Sequence, residues 1–407
     1  CTSTKIIFLN EHCFDIVSLS SNNSMSKNIT IGIDIGTQGI RVAIAEHTRG
    51  SVWPHVIATS YAPTTGLRYG YIVNEQEVTR SLKKALNEIE KHSGIRVRKA
   101  CVSINSTGLT SEHATGNAII SKADSEVTIL DISKAIDESE DSLPSVNKKI
   151  LHTIPVKFLI DGKEVYGRPE GMKGIKLEVK THFVTCLEQH IKSIIHVVSE
   201  AGVEVVSIVA SPLAAGSVTL SDQQKAFGCI LVDIGSETVS VGVFENGAMV
   251  STHVFQIGSN DITNDIALGF RISLEEAEAI KIGSVPASFS KRKLDEIVEA
   301  RLEDIFELID RYLKQLKRSG LLPAGAILVG GGSQIPGIEE VAKDVLRLPV
   351  KIGTSEHLRK DPSWMTVYGL CVETKDNAYD PSGTGNLGEW WKNLKKQASH
   401  FIRQLLP

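Results

Sequence analysis

One strand–turn–strand pattern occurs twice in the chain, as IGIDIGTQGIRVAIAE at residues 31–46 and as LVDIGSETVSVGVFENG at residues 231–247. In both segments an apolar strand ends in Asp-Ile-Gly, hydroxyl residues follow, and apolar residues then recur with period two. This predicts a hairpin with a carboxylate at the bend. A single bend of this kind is common in ordinary turns. Repetition of the whole pattern instead predicts a duplicated fold of two similar halves.

The composition limits the class of protein. With 407 residues, 42% hydrophobic and 23% charged, the chain is predicted to be soluble and globular, with two or more domains. A net charge of -4 argues against a nucleic-acid-binding protein. The six cysteines show no paired short spacing, so we expect reduced thiols in a cytoplasm and no zinc site or disulfide framework.

The first 24 residues differ in character from the rest of the chain. They run through SSNNS before Met25, where MSKNITIGIDIG leads directly into the first predicted strand. They lack the basic region, the longer apolar core and the cleavage site of a signal peptide. We therefore expect residues 1–24 to be an upstream extension with no role in the fold.

Alternating strands and helices follow the first hairpin. Helices are predicted at residues 75–94, 186–202, 273–284 and 290–320, and a strand at 326–329 enters a helix through three glycines. Residues 111–185 are predicted to form short strands of an inserted subdomain, including VTILDISKAIDESEDS at 127–142. The order predicts an α/β fold.

The turn residues suit a metal-bound polyphosphate. Glycine lets backbone N–H groups approach an anion closely, and Thr37, Ser236 and Thr238 add hydroxyl donors. Asp34 and Asp233 would be repelled by phosphate, but they suit Mg²⁺, bound through water. Gly330, Gly331 and Gly332, followed by Gln334 and Ile335, are predicted to pass flat against a base or ribose.

These features resemble the superfamily of actin, sugar kinases and heat-shock chaperone ATPases, and within it the FtsA family of bacterial cell-division proteins. The resemblance covers nearly everything from Met25 onward, and its specific passages include GIDIGTQGIRVAIAE, KILHTIPVKFLIDGKEVYGRPEGMKG, EEAEAIKIGS, LLPAGAILVGGG and GEWWKNLKKQASHFIRQLL. It implies an actin-like ATPase fold with an inserted SHS2-type subdomain. The implied bounds are 25–110, 186–213 and 359–380 for subdomain 1A, 111–185 for 1C, 214–255 and 320–358 for 2A, and 256–319 for 2B.

The resemblance also implies ATP, with Mg²⁺, in the cleft. Glu278 and Lys281 would reach the ribose and adenine, and Arg41 would lie near the phosphates. The complete predicted nucleotide set is Asp34, Gly36, Thr37, Gln38, Arg41, Asp233, Gly235, Ser236, Thr238, Glu278, Lys281, Gly330, Gly331, Gly332 and Ile335.

Two departures from the family pattern affect the expected chemistry. Ser236 and Glu237 stand where the second phosphate loop usually continues with further glycine, and Glu237 would repel phosphate unless it faces away or meets the metal. Ser211 of SPLAAG stands where related ATPases carry a glutamate that orients the attacking water. Because positioning that water is a large part of phosphoryl-transfer catalysis, the sequence predicts tight ATP binding with slow hydrolysis.

The C-terminal residues predict membrane attachment. Residues 381–388 have the composition of a flexible linker, and 389–407 form an amphipathic pattern with paired tryptophans and a basic flank, which is typical of helices lying on a membrane surface. A docked core helix is the alternative. The predicted membrane-binding residues are Trp390, Trp391, Leu394, Lys395, Phe401, Ile402 and Leu405, with Lys395 in the basic flank. One such tail is marginal, so polymerisation would strengthen attachment.

The resemblance implies the partners. These are a second copy of the chain in an actin-like filament, an anionic membrane surface, the C-terminal peptide of the tubulin-like protein FtsZ, and other division proteins at residues 111–185. Lys291, Arg292 and Arg301 are predicted peptide contacts, and a solvated helix face explains them equally well. The implied place is the cytoplasmic face of the cell membrane at the septum.

Other functions fit less of the sequence. A type IV pilus assembly protein of the PilM kind would share the fold and the insertion, but it would have no reason for WWKNLKK. A sugar or acetate kinase needs a catalytic group at a second substrate pocket, for which the sequence shows no motif. A chaperone would need a substrate-binding domain after the ATPase.

Overall fold

A computed structural model of the chain describes residues 28–373, apart from 49, 52, 122–123, 145, 285–289, 356–357 and 359. The predictions for residues 1–24, for the linker at 381–388 and for the helix at 389–407 lie outside the described residues. None of the helices in the described part of the chain combines the length and the apolar composition that a membrane span requires.

The described residues form strands and helices in alternation. In chain order the strands are β1 (Asn28–Ile35), β2 (Gly39–His47), β3 (His55–Pro63), β4 (Leu67–Arg68), β5 (Tyr71–Ile72), β6 (Lys99–Ile104), β7 (Thr110–Ile119), β8 (Lys148–Ile160), β9 (Lys163–Val165), β10 (Lys176–Leu187), β11 (Glu204–Ala210), β12 (Cys229–Ile234), β13 (Val239–Glu245), β14 (Ala248–Phe255), β15 (Ala326–Val329) and β16 (Val350–Ile352). The α-helices are α1 (Glu75–Ser93), α2 (Ile129–Asp141), α3 (Glu188–Glu200), α4 (Ser211–Thr219), α5 (Asp222–Phe227), α6 (Ser259–Phe270), α7 (Leu274–Lys281), α8 (Lys291–Gln315), α9 (Ile338–Leu346) and α10 (Met365–Glu373).

Two five-stranded sheets match strand for strand. One has the order β3-β2-β1-β6-β11 and the other the order β14-β13-β12-β15-β16. In both, the hairpin of the repeated motif is antiparallel and its first strand also pairs in parallel with a later strand. We call these the first and second lobes. This correspondence confirms the predicted α/β fold of two similar halves.

The hairpin strands of the second lobe are buried on both faces. Every residue from Val239 to Phe244 is buried. Val241 belongs to the core formed with α6, α8 and α9, whereas Phe244 belongs to the core shared with the first lobe. The apolar residues at period two in β13 are therefore one half of a fully covered strand.

The inserted subdomain corrects part of the sequence prediction. Strand is predicted over residues 127–142, but α2 occupies most of this segment. Thr128 and Asp131 form a capping box, and Ile132, Ala135 and Ile136 are buried at helical spacing. The strands are also long, since β8 has 13 residues and β10 has 12. The prediction is wrong because the apolar residues of this segment follow the 3–4 spacing of a helix and do not alternate.

The other predicted helices are present, with one difference at the three glycines. α1, α3, α7 and α8 occupy the predicted segments. After β15, however, a 3₁₀ turn at Gly331–Gln334 comes first, and α9 begins at Ile338. The glycines therefore form a turn of their own, separate from the helix start.

Candidate functional site

The two Asp-Ile-Gly bends have the same backbone closure. We call residues 34–38 the first turn and residues 233–237 the second turn. The N–H of Gly36 donates to the carbonyl of Gly39 at 3.2 Å, and the N–H of Gly235 donates to the carbonyl of Thr238 at 2.9 Å. A Cβ atom at Gly36 or Gly235 would lie 3.0 or 2.9 Å from those same carbonyls. Both turns therefore depend on glycine for a close backbone approach.

Both turns line one small cavity between the lobes. Its volume is about 80 Å³, and Asp34 and Asp233 both face it. The first lobe contributes one wall and the second lobe the other. The predicted residues that line it are Asp34, Gly36, Thr37, Gln38, Arg41, Asp233, Gly235, Ser236, Thr238, Gly330, Gly331 and Gly332.

The two aspartates interact electrostatically. Burial raises the pKa of Asp34, while Arg41 and a hydrogen bond from Ser103 oppose that rise. Burial raises the pKa of Asp233 to about 7, and the nearby charge of Asp34 adds to that rise, against the opposing effects of Arg41 and Thr366. Two buried carboxylates that face one cavity form a site that favours added positive charge.

Arg41 supplies one such charge. It is the cross-strand neighbour of Asp34 on β2, and its guanidinium carbon lies 5.3 Å from the ring centroid of Tyr61 and 5.7 Å from that of Trp364. Its Nε is buried without a hydrogen-bond partner among the described residues. The two rings hold the cation by cation–π attraction, and its charge acts on both Asp34 and Asp233.

Two of the three consecutive glycines pack tightly against the second turn. Gly330 has φ +84°, and a Cβ atom there would lie 2.3 Å from Oδ1 of Asp233 and 2.6 Å from the carbonyl of Ile234. A Cβ atom at Gly332 would lie 2.4 Å from Cγ2 of Ile234, whereas one at Gly331 meets no atom within 4 Å. Gly330 and Gly332 thus make the close packing possible, and Gly331 faces open space.

A larger cavity of about 850 Å³ continues from the small one, since Gln38, Ser259, Gly331 and Gly332 line both. Ile335, Glu278 and Lys281 line the larger cavity. Its size is in the range of small-molecule sites. Two cavities joined in this way can take a compact charged group at one end and a bulkier organic group at the other.

The lysine and glutamate of the larger cavity hold each other in place. Nζ of Lys281 lies 2.7 Å from Oε2 of Glu278 and donates to the hydroxyl of Thr263 at 2.8 Å and to the carbonyl of Ser259 at 3.1 Å. The Lys281 side chain is only 6% exposed. The sequence spacing of Glu278 and Lys281, one helical turn apart on α7, explains the pair.

The three predicted peptide contacts have different surroundings. Lys291 lines the larger cavity. Arg292 is exposed and pairs with Glu296 on its own helix. Arg301 pairs with Asp265 at 2.6 Å and with Asp304 at 3.2 Å. Arg301 is therefore already engaged by acids of its own subdomain.

Several site residues were missed by sequence reasoning. The hydroxyl of Ser103 donates to Oδ1 of Asp34 at 2.6 Å, and that of Thr366 donates to Oδ2 of Asp233 at 3.4 Å. Asn105 and Ser259 also line the small cavity. Ser103 reaches Asp34 because β6 pairs in parallel with β1, and its place near the carboxyl end of a strand was the available signal.

The two departures from the family pattern have clear positions. Ser211 is buried, donates to the carbonyl of Ile104 at 3.2 Å and lines neither cavity. Glu237 also lies outside both linings, and its carboxylate accepts a hydrogen bond from the N–H of Tyr69 at 2.7 Å. Among the described residues that line the small cavity, Asp34 and Asp233 are the only carboxylates.

Comparison with known proteins agrees with this architecture. The family model described as cell division protein FtsA matches residues 230–369, and the model of the SHS2 domain inserted in FtsA matches residues 107–185. The cell division protein FtsA of Bacillus subtilis (strain 168) is 30% identical over 368 residues, which cover 85% of this chain and 83% of that protein.

Solved structures show the same fold at lower identity. A PilM–PilN type IV pilus biogenesis complex matches with a TM-score of 0.64 and 17% identity over 84% of this chain and 97% of that one. MreB5 of Spiroplasma citri bound to ADP matches with a TM-score of 0.52 and 15% identity over 86% of this chain and 97% of that one. At these identities the likeness shows the fold, which is that of actin-like ATPases.

The sequence relatives, the inserted SHS2 domain and the duplicated lobes around a shared acidic cavity lead to one assignment. The chain belongs to the FtsA family of cell-division proteins.

Proposed function

We propose that the chain binds ATP with Mg²⁺ between its two lobes, polymerises on the cytoplasmic face of the cell membrane and tethers FtsZ filaments to it at the division septum. The observation that carries the proposal is the small cavity, where the first and second turns face each other with one aspartate each. Membership of the FtsA family supports the role in division, and the MreB5 structure supports the nucleotide, since that protein holds ADP.

The residues present fit a metal–triphosphate. Asp34 and Asp233 would hold Mg²⁺ through water, because this ion prefers oxygen ligands and keeps several of its waters. Arg41 would offset phosphate charge with its unpaired Nε. The metal, when bound, neutralises the polyphosphate and orients it. The backbone amides of both turns would position the phosphate oxygens.

The larger cavity fits the nucleoside. Glu278, Lys281 and Ile335 line its wall, and Gly331 lines it on the side that continues to the small cavity. Because Lys281 is fixed by three polar partners, it presents its aliphatic stem in a defined position. We propose that the base and ribose lie here.

Slow turnover accompanies tight binding in this proposal. Ser211 is turned to the backbone of Ile104 and cannot orient a water in the small cavity. With no third carboxylate among the described lining residues, we expect ATP turnover below about 1 per second, the lower end for enzymes.

Membrane attachment rests on the sequence of residues 389–407. Burial of large apolar side chains contributes up to about 1.5–3 kcal/mol each, and each basic residue adds about 1 kcal/mol on anionic lipid. FtsZ peptide binding is proposed for residues 256–319, with Lys291, Arg292 and Arg301, and contacts with other division proteins for residues 111–185.

Liposome co-sedimentation with ATP tests the tether. We expect the full chain to sediment with anionic vesicles and to carry FtsZ with it, and a chain lacking residues 389–407 to stay in solution. The variant Trp391→Glu places a charge on the apolar face and should act like the truncation, whereas Lys392→Gln serves as the matched control with a small effect. Equal sedimentation of the full and truncated chains would refute the tether.

A further inference from the structure

The side chain of Glu237 links the two lobes directly beside the small cavity. One of its carboxylate oxygens accepts a hydrogen bond from the N–H of Tyr69 at 2.7 Å, and the other lies 3.9 Å from Nε of Arg68. Glu237 follows Ser236 in the second lobe, and Tyr69 precedes Gly70 in the first. Both of those neighbours line the cavity, so this contact, which we call the clasp, lies at its edge.

In the second lobe Glu237 is attached to a rigid support. The carbonyls of Gly235 and Ser236 accept hydrogen bonds from the N–H groups of Ser259 and Asn260, at 2.9 and 2.8 Å. A Cβ atom at Gly258 would lie 2.4 Å from the Ser236 carbonyl, so the turn packs tightly on the start of α6. Glu237 therefore moves together with the second lobe.

In the first lobe Tyr69 is held equally firmly. Its φ is +49°, in the left-handed region that non-glycine residues rarely adopt. Gly70 follows with φ +79°, and a Cβ atom there would lie 1.9 Å from the carbonyl of Asn105, just after β6. The loop is thus fixed on the first lobe with its N–H directed at Glu237.

The two halves of the clasp differ in strength. The Glu237 side chain is 19% exposed, whereas that of Arg68 is 64% exposed. A charge-assisted hydrogen bond shielded from water is considerably stronger than an exposed ion pair at 3.9 Å. The bond from Tyr69 to Glu237 therefore carries most of the interaction.

We propose that Glu237 is a positioning residue that holds the cleft closed over a bound nucleotide and so sets the rate at which the nucleotide leaves. This inference rests on the proposed function. This role explains why a glutamate stands on the proposed phosphate-binding turn. Its carboxylate spans the cleft, and Ser236, not Glu237, lines the cavity.

The second lobe has other contacts that do not involve Glu237. Nδ1 of His182 lies 2.8 Å from the carbonyl of Met249, and Ser111 bonds the backbone of Thr252. These hydrogen bonds join the inserted subdomain to β14. They are still present when Glu237 is substituted. A Glu237 variant should therefore fold, and its cleft should be able to open while these contacts stay in place.

Dissociation of a fluorescent ATP analogue tests the clasp. We expect Glu237→Ala to release the analogue about tenfold faster than the wild type, as the loss of one charge-assisted hydrogen bond implies, and Glu237→Gln, which keeps an acceptor, to release it about threefold faster. The matched control is Glu245→Gln at the far end of β13, where a glutamate of 21% exposure pairs with Arg318. It should leave the rate unchanged.

Hydrogen exchange of the Tyr69 amide gives a second readout that needs no nucleotide. This amide should exchange about tenfold faster in Glu237→Ala than in the wild type or in Glu245→Gln. Unchanged or slower release of the analogue from Glu237→Ala would overturn the inference and leave the proposed function standing. If the wild type binds no nucleotide at all, the proposed function fails and this inference fails with it.

Discussion

The first and second turns share a backbone but differ in what surrounds them. Each ends a buried strand with Asp-Ile-Gly and is closed by one hydrogen bond to the carbonyl three residues on. Yet the cross-strand neighbour of Asp34 is Arg41, whereas that of Asp233 is Ser240, whose hydroxyl is buried without a partner among the described residues. The first turn thus has its own cation, and the cross-strand position of the second has none.

The second turn is instead held by packing. Gly330 packs on Asp233 and Ile234, and Gly332 packs on Ile234. The N–H groups at the start of α6 donate hydrogen bonds to the carbonyls of the second turn. We infer that the two turns contribute differently to the site. The first supplies charge compensation, and the second supplies rigid support. Substitutions in either turn can therefore disturb one of these two contributions without the other.

Gly330→Ala should break the second turn. The new Cβ atom would lie 2.3 Å from Asp233 in a backbone conformation with φ +84°, so we expect a loss of at least about 3 kcal/mol in unfolding free energy. Urea denaturation measures it. Gly331→Ala is the matched control, since its Cβ meets no atom within 4 Å, and an equal loss there would contradict the packing argument.

Arg41→Ser should make the first turn resemble the second. Without the guanidinium the two aspartates lose their shared cation, and we expect ATP affinity to fall tenfold to a hundredfold, from about 1.5–3 kcal/mol for one buried charged contact. Calorimetric titration measures it, with Arg41→Lys as the conservative variant that retains part of the affinity. Wild-type affinity in Arg41→Ser would show that the cation is not needed.

The contact of the inserted subdomain with the second lobe should be acid-sensitive. Burial lowers the pKa of His182 to about 3, below its usual value near 6.5. The contribution of neutral His182 to the free energy of unfolding is therefore complete above about pH 6.5. It is lost as the pH falls toward the folded-state pKa. From this shift we expect His182 to make the protein about 2 kcal/mol less stable at pH 5 than at pH 7.

His182→Gln tests this assignment by removing the titrating ring. The pH dependence of unfolding should flatten by about that amount, while His152 and His190, whose pKa values burial lowers to about 4, keep their share. An unchanged slope between pH 7 and pH 5 would exclude His182 as the source.

Removing the hydroxyl donors to the aspartates should have small and unequal effects. Ser103→Ala removes a 2.6 Å hydrogen bond to Asp34, and Thr366→Val removes a 3.4 Å one to Asp233. We expect a loss of about 1 kcal/mol for the first and less than about 0.5 kcal/mol for the second. Thermal unfolding measures both, and the reverse order would contradict the geometry.

The features that follow from local sequence patterns could be predicted. The hairpins, the amphipathic helices α1 and α8 and the duplicated halves follow from periodicity and repetition. α2 was missed although Thr128, Asp131 and the spacing of Ile132, Ala135 and Ile136 specify it. That error came from choosing the wrong period, since the information was present in the segment.

Other features depend on tertiary structure. Ser103 lies far from Asp34 in the chain and reaches it only through the pairing of β6 with β1, and Thr366 reaches Asp233 only because α10 packs at the same site. The sequence raised Glu237 as a conflict with phosphate, but the partner that resolves the conflict, the N–H of Tyr69, comes from the other lobe. No local pattern specifies such a contact.

Calorimetric titration of ATP, with and without Mg²⁺, tests whether the two turns together hold a metal–nucleotide complex. We predict one site per chain in the wild type that needs Mg²⁺, and loss of that site in both Asp34→Asn and Asp233→Asn, with the fold of each variant checked by circular dichroism. Binding of Mg²⁺ and ATP with wild-type affinity by either folded variant would show that the paired aspartates do not hold the complex.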